Sequence, residues 1–161
     1  VAIRAVLGQQ VSVRGATTLA ARLVAAFGEP LDGATPPLGR LFPGAARLAG
    51  ARVEEVRGLG MPEARARTIV ELSRALAEGR VDLSAGADPE RAVAALLALP
   101  GVGPWTAQYL AMRALRWPDA FPAGDLGVRR ALGLDAVRDV EARARGWSPW
   151  RAYAVMHLWC E

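Results

Sequence analysis

A chain of 161 residues is long enough to bury a proper hydrophobic core, as one compact domain or two closely packed lobes. Its 20 basic residues are all arginine, which excludes a Schiff-base mechanism from any side-chain amine. The single cysteine, Cys160, excludes an intrachain disulfide and a four-cysteine iron–sulfur site, and no apolar run approaches the roughly 18 residues of a membrane span.

A lone thiol fits a reducing, cytoplasmic setting. The net charge of +4 favours a nucleic-acid partner only weakly. No signal-peptide pattern opens the chain, and Val1 already reads as mid-helix, so the expectation is a fragment whose upstream part is missing.

In chain order, Val1 to Leu7 reads as the end of a helix broken at Gly8-Gln9-Gln10. Ser12 is placed to cap a second helix that runs to Phe27 and stops at Gly28. Residues 29–43, with four prolines, read as a loop. Two short helical pieces follow, ending at Arg57-Gly58-Leu59-Gly60, and Pro62 suits the first turn of a helix that continues to about Glu78. Asp88-Pro89 starts another, to Leu97. A helix from Pro104 to about Leu115 carries Trp105, Tyr109 and Met112 on one stripe, and Ser148-Pro149 opens a last helix over 150–159. Strand signals are nearly absent. The fold class is all-α.

Between the helices ending at Leu97 and starting at Pro104 stands Leu99-Pro100-Gly101-Val102-Gly103. Two glycines around one small apolar residue allow positive φ and close approach of a foreign backbone. The unpaired N–H groups of such a turn, with the dipole of the new helix, favour an anion. A phosphate held in this way is bound without any base being read. The competing reading is an ordinary tight connection with a glycine stop. After the next helix, Phe121-Pro122-Ala123-Gly124-Asp125 is a Gly/Pro-rich loop ending in an aspartate at a helix start, where Asp is also a favoured N-cap.

The hairpin string, Leu-Pro-Gly-Val-Gly-x-x-Thr-Ala, resembles the helix-hairpin-helix DNA-binding motif. With the Asp125 loop after it, the order resembles the helix-hairpin-helix DNA glycosylase superfamily. The segments Val6-Leu7-Gly8-Gln9-Gln10-Val11-Ser12 and Trp147-Ser148-Pro149-Trp150-Arg151-Ala152-Tyr153 resemble one branch, the bacterial 3-methyladenine DNA glycosylase II group. The resemblance covers nearly the whole chain and lacks only that group's small N-terminal mixed α/β lobe. It implies two closely packed helical lobes with the active site in the cleft between them, a monomer in the bacterial cytoplasm at the nucleoid, and no membrane association.

The resemblance implies Asp125 as the catalytic carboxylate and Trp105, Tyr109 and Trp159 as the base pocket. It places DNA contacts at Gln9, Gln10 and Ser12, at Gly101, Val102, Gly103 and Thr106 of the hairpin, and at Arg129. In the family, a bulky apolar wedge can follow the first glutamine; here that residue is Gln10. The implied reaction is hydrolytic excision of alkylated bases such as 3-methyladenine from double-stranded DNA. A flipped base needs stacking surfaces, and electron-poor alkylated purines are drawn to indole and phenol faces. Trp105 and Tyr109, four apart on a helix, share a face; packing is the competing role, and the expected one for Trp147, Trp150 and Tyr153. Bifunctional relatives use a lysine just after the second hairpin glycine, where this chain has Trp105, so no strand cleavage is implied. No cofactor or metal is implied, beyond a monovalent cation at the hairpin when DNA is bound. His157 reads as packed or solvent-facing, and Arg129 with Arg130 as phosphate contacts or a solvated face. A non-catalytic helix-hairpin-helix module is the alternative, and it needs neither the aspartate nor the aromatic pocket.

Overall fold

The computed structural model of the chain describes residues 1–33 and 39–160. Residues 34–38 of the expected proline-rich loop and Glu161 lie outside the described residues. The all-α expectation holds. Among the described residues there are ten α-helices and one 3-10 turn, and the only bridge between extended residues pairs Pro30 with Arg40.

The residues group into two compact units. The first takes in Ala2–Asp82 and Ala98–Gly101. It holds α1 (Ala2–Leu7), α2 (Val13–Phe27), α3 (Ala45–Ala49), α4 (Val53–Arg57) and α5 (Glu63–Ala77). Ser12 caps α2 as expected, its hydroxyl accepting the Gly15 N–H at 3.1 Å. Pro62 stands at the cap of α5 rather than inside its first turn, a shift of one residue. The α5 helix is the centre of this unit and packs against α1, α3 and α4. Ala66, Ile69, Val70, Leu72 and Ala75 are all wholly buried, because neighbours cover the helix on several sides.

The second unit takes in Leu83–Leu97 and Val102–Glu161 with Val1. It holds α6 (Pro89–Leu97), α7 (Pro104–Arg113), α8 (Leu126–Leu132), α9 (Val137–Ala144), a 3-10 turn at Arg145–Trp147, and α10 (Arg151–Leu158). Its core joins Met112, Phe121, Val128, Val140 and Val155. The α7 helix stops at Arg113, short of Leu115. Arg116 turns into the left-handed region at φ +57, and the Trp117 N–H reaches back to the Ala111 carbonyl at 3.1 Å. The sequence reading did not separate α9, whose cap is Ala136 and offers no side-chain acceptor.

The hairpin corrects one expectation. Only Gly101 has positive φ, at +80; Gly103 is extended at φ −93 with ψ 175. A Cβ on Gly101 would collide with the Thr68 hydroxyl of α5, whereas one on Gly103 would meet nothing within 4 Å. The fold therefore requires glycine at 101 and leaves 103 free for another reason. Gly101→Ala should lower unfolding free energy by about 2–3 kcal/mol, from left-handed strain and overpacking, and Gly103→Ala should stay within about 0.5 kcal/mol of wild type. Urea denaturation of both variants checks this; equal losses would contradict the asymmetry.

Candidate active site

Asp125 is the N-cap of α8, and its Oδ1 accepts the Val128 N–H at 3.0 Å. The capping role is therefore real, and it is not the whole role. The same oxygen accepts Trp159 Nε1–H at 2.9 Å, and Oδ2 accepts Trp105 Nε1–H at 2.9 Å. Trp105 comes from the first turn of α7 and Trp159 from the end of α10, so three separate segments converge on one half-buried carboxylate. All three donors are neutral N–H groups. Among the described residues Asp125 takes part in no ion pair, so its charge is not already neutralised by a guanidinium. A fixed, uncompensated carboxylate is what stabilises a cationic centre developing beside it.

The aromatic side of the site is continuous with that carboxylate. Tyr109 stacks on Trp105, with centroids 5.1 Å apart and planes 15° from parallel, as the i, i+4 spacing on α7 predicts. Tyr109 also faces Trp159 at 6.4 Å with a 44° tilt. Trp105, Tyr109 and Trp159 are each partly exposed, unlike the buried Met112 on the same helix stripe. The expected base-pocket residues are thus together, and the structure separates Met112 from them.

Residues that the sequence reading did not single out hold this arrangement. The Phe121 N–H donates to Gln108 Oε1 at 2.9 Å, and the Asp125 N–H to the Pro122 carbonyl at 2.8 Å, fixing the loop between α7 and α8. Gly127 lets Trp159 come close: a Cβ there would stand 3.1 Å from both Asp125 Oδ1 and Trp159 Cδ1. Asp119 grips Arg151 at the start of α10 with two bonds of 2.7 Å, and also accepts the Ser148 hydroxyl at 3.0 Å. This pair seats the helix that ends at Trp159. A glycine in the first turn of a helix was a legible signal; Gln108 and Asp119 gave none.

The expected DNA contacts divide. Gln9 donates its amide to the Gly101 carbonyl at 3.2 Å, and Arg65 of α5 holds the Gln9 carbonyl, so the Gln-Gln turn and the hairpin turn brace one another. Gln10 stands exposed at φ +52. Ser12 spends its oxygen on the α2 cap. Gly101 and Gly103 are exposed, but Val102 and Thr106 are buried side chains (6% and 3% exposed). What these two positions offer outward is backbone, in keeping with a turn expected to hold a phosphate through its N–H groups. Arg129 is half-buried and lies 3.8 Å from Asp135, while Arg130 is exposed. Trp147 packs edge-on against Phe121 at 6.1 Å, as expected. Trp150 and Tyr153 meet edge-on at 5.7 Å but stay outside the core, each 59% exposed, which corrects the packing expected of them. His157 faces solvent.

Residues 3–145 match the model of the HhH-GPD superfamily of base excision DNA repair proteins. The chain belongs to that superfamily. Its HhH-GPD relatives include a protein of Mycobacterium tuberculosis named "Probable bifunctional transcriptional activator/DNA repair enzyme AlkA", 50% identical, with 98% of this chain and 32% of that protein covered. DNA-3-methyladenine glycosylase 2 of Escherichia coli is 37% identical, with 98% and 55% covered. The chain thus spans from about a third to just over half of the length of these relatives. Among solved structures, the 3-methyladenine DNA-glycosylase of Archaeoglobus fulgidus superposes with a TM-score of 0.77 at 28% identity, over 98% of this chain and 56% of that one. The 8-oxoguanine glycosylase/lyase of Clostridium acetobutylicum shares the fold, with a TM-score of 0.82 at 14% identity, over 98% and 56%. The helical HhH-GPD fold is therefore this chain's fold.

The Asp119–Arg151 pair carries a pH dependence. The Arg151 guanidinium holds the Asp119 carboxyl below the ordinary aspartate value of 3.8, assisted by Ser148 and opposed by burial. A depressed folded-state value stabilises the fold above the ordinary value, and this contribution is lost as pH falls through the depressed one. Asp119→Asn should cost about 2 kcal/mol near neutrality, and the gap from wild type should shrink below about pH 4. Thermal melts of both proteins across acid pH check it; a gap independent of pH would remove the charge from the account.

Proposed function

We propose that this chain is the catalytic core of a monofunctional DNA glycosylase, which flips an alkylated base out of duplex DNA and hydrolyses its N-glycosidic bond. The observation that carries the reading is the Asp125 carboxylate, fixed by Trp105, Trp159 and the Val128 N–H at the edge of an aromatic face. The names of the relatives from Escherichia coli and Archaeoglobus fulgidus support the choice of 3-methyladenine among lesions.

The chemistry follows from the site. A base within the duplex is out of reach, so the target nucleotide is turned out and its purine laid on an aromatic ring. The outer faces of Trp105 and Trp159 and the wedge between Tyr109 and Trp159 are the surfaces on offer. At 6.4 Å and 44° that wedge is short of a parallel slot, so a base entering it turns one ring as it stacks. A purine alkylated on its ring nitrogen carries positive charge, which these π faces attract and which makes it a ready leaving group. As the glycosidic bond breaks, the bonding pair leaves with the base and the sugar gains oxocarbenium character. Asp125 stabilises that cation and orients the water that adds to the sugar carbon, taking up its proton. The products are the free base and an abasic site in an intact strand, since the chain has no lysine to capture the sugar and Trp105 fills the corresponding position. Duplex DNA is gripped through the exposed backbone at Gly101 and Gly103 and the first-turn N–H groups of α7.

Asp125→Asn should abolish release of 3-methyladenine from methylated duplex DNA by on the order of 100-fold or more while leaving duplex affinity largely intact. Asn keeps the cap, because its carbonyl oxygen still accepts the Val128 N–H, but its amide faces Trp105 Nε1–H donor to donor. Chromatography of released bases reads the effect; excision near the wild-type rate would sink the assignment, as would the same null result from wild type. Sodium borohydride added during turnover should trap no covalent protein–DNA adduct, and an adduct on a gel would contradict the monofunctional reading.

A further inference from the structure

At the end of α7 remote from the hairpin, the second unit carries a groove that no part of the proposed reaction uses. It has a volume of about 250 Å³, below the range of a typical small-molecule pocket and sized for one or two large apolar side chains. Met112 and Trp117 form its apolar base, Tyr153 and Met156 of α10 one wall, and Arg113 and Arg116 the rim. Tyr153 is 59% and Met156 43% exposed, and Trp150 extends the face edge-on to Tyr153 at 5.7 Å. Two large apolar side chains on the open side of one eight-residue helix, continued by Trp150 at its N-cap, are an interaction surface rather than leftover core.

Two features identify the occupant's charge. Arg113 meets only the Met156 sulfur, at 3.7 Å, and neither Arg113 nor Arg116 has a carboxylate within ion-pair distance among the described residues. The neighbouring Asp119 has both oxygens engaged by Arg151 and Ser148. The rim therefore carries two uncompensated positive charges. Arg116 also adopts φ +57, a conformation that glycine enters without penalty and arginine does not. Arginine at this position is uncommon, and it adds a guanidinium to the rim.

We propose that this groove docks a short acidic segment of a partner protein, with a bulky apolar residue seated between Tyr153 and Met156 and flanking carboxylates paired with Arg113 and Arg116. Trp, Tyr, Met and Arg are the residues enriched where protein partners bind tightly, and thioethers adapt to irregular apolar anchors. A nucleic acid fits less well. The guanidiniums sit at one rim instead of tracking a backbone, and the groove lies about 15 Å along α7 from Gly103, at the other end of the helix from the phosphate-binding turn.

The test is selection of a random peptide display library on the folded chain, followed by fluorescence anisotropy with the enriched peptides. The expected result is enrichment of Asp or Glu around a Leu, Phe or Trp, with binding weakened about tenfold by Arg116→Gly and by Arg113→Gln, and weakened by salt. Arg116→Gly should have a melting temperature no lower than wild type, since it relieves the left-handed turn, and an unchanged rate of base release. Loss of binding in that variant then cannot be unfolding. No enrichment, enrichment of basic peptides, or equal binding by both variants would overturn the proposal. So would oligothymidylate binding that the same two substitutions abolish, which would assign the groove to single-stranded nucleic acid.

Discussion

Asp125 accepts three neutral hydrogen bonds, from a backbone N–H and two indoles, and most of the candidate site is arranged to make that possible. Indole nitrogens donate only, and an ionised carboxylate accepts only, so the geometry matches the charged form without supplying a counter-ion. The two rings are also stacking surfaces. One set of side chains therefore fixes the Asp125 carboxylate and lays an aromatic face beside it. The cap holds the carboxylate on α8, the first turn of α7 brings one indole, and the end of α10 brings the other.

That convergence places demands on residues far from the carboxylate. Trp159 lies so near residue 127 that a side chain there would crowd it, and α10 is seated by the Asp119–Arg151 pair at its opposite end. The Asp125 loop is tied to α7 through Gln108, so the segment after the helix is anchored to the helix that carries Trp105 and Tyr109. These contacts are polar, bonded at both ends and partly shielded from water, where loss of one partner is felt most. In the first unit the hairpin turn is held in the same manner. Gly101 presses on Thr68, and its carbonyl takes the Gln9 amide, whose own carbonyl is held by Arg65. The exposed backbone around Gly103 is thus presented by a turn with little freedom to move. Such a turn suits a phosphate grip that does not depend on base sequence.

The surface beyond the candidate site is uneven in how its charges are paired. Arg52, Arg67, Arg74 and Arg80 are paired with glutamates close in sequence, in the pattern of solvated helix faces. Arg113 and Arg116, like Arg4, Arg14 and Arg130, take part in no ion pair among the described residues, and they stand beside Trp117, Tyr153 and Met156.

The amino-acid sequence by itself determined whatever depends on neighbours along the chain. Apolar spacing and Gly/Pro punctuation set nearly every helix, Ser12 and Asp125 were legible as caps, and Trp105 and Tyr109 share a face because they are four residues apart on one helix. The motif order around Gly101, Gly103 and Asp125 carried the family. What only the tertiary structure decided are the contacts between positions distant in sequence. The bond from Trp159 to Asp125 spans 34 residues, Arg65 to Gln9 spans 56, and Arg151 to Asp119 spans 32. The same holds for which side of a motif faces inward. Val102 and Thr106 turn into the protein, Gly103 stands open, and Trp150 and Tyr153 face out where packing was expected. Local spacing fixes which residues share a helix face, but burial and long-range partners depend on what the rest of the chain places against that face.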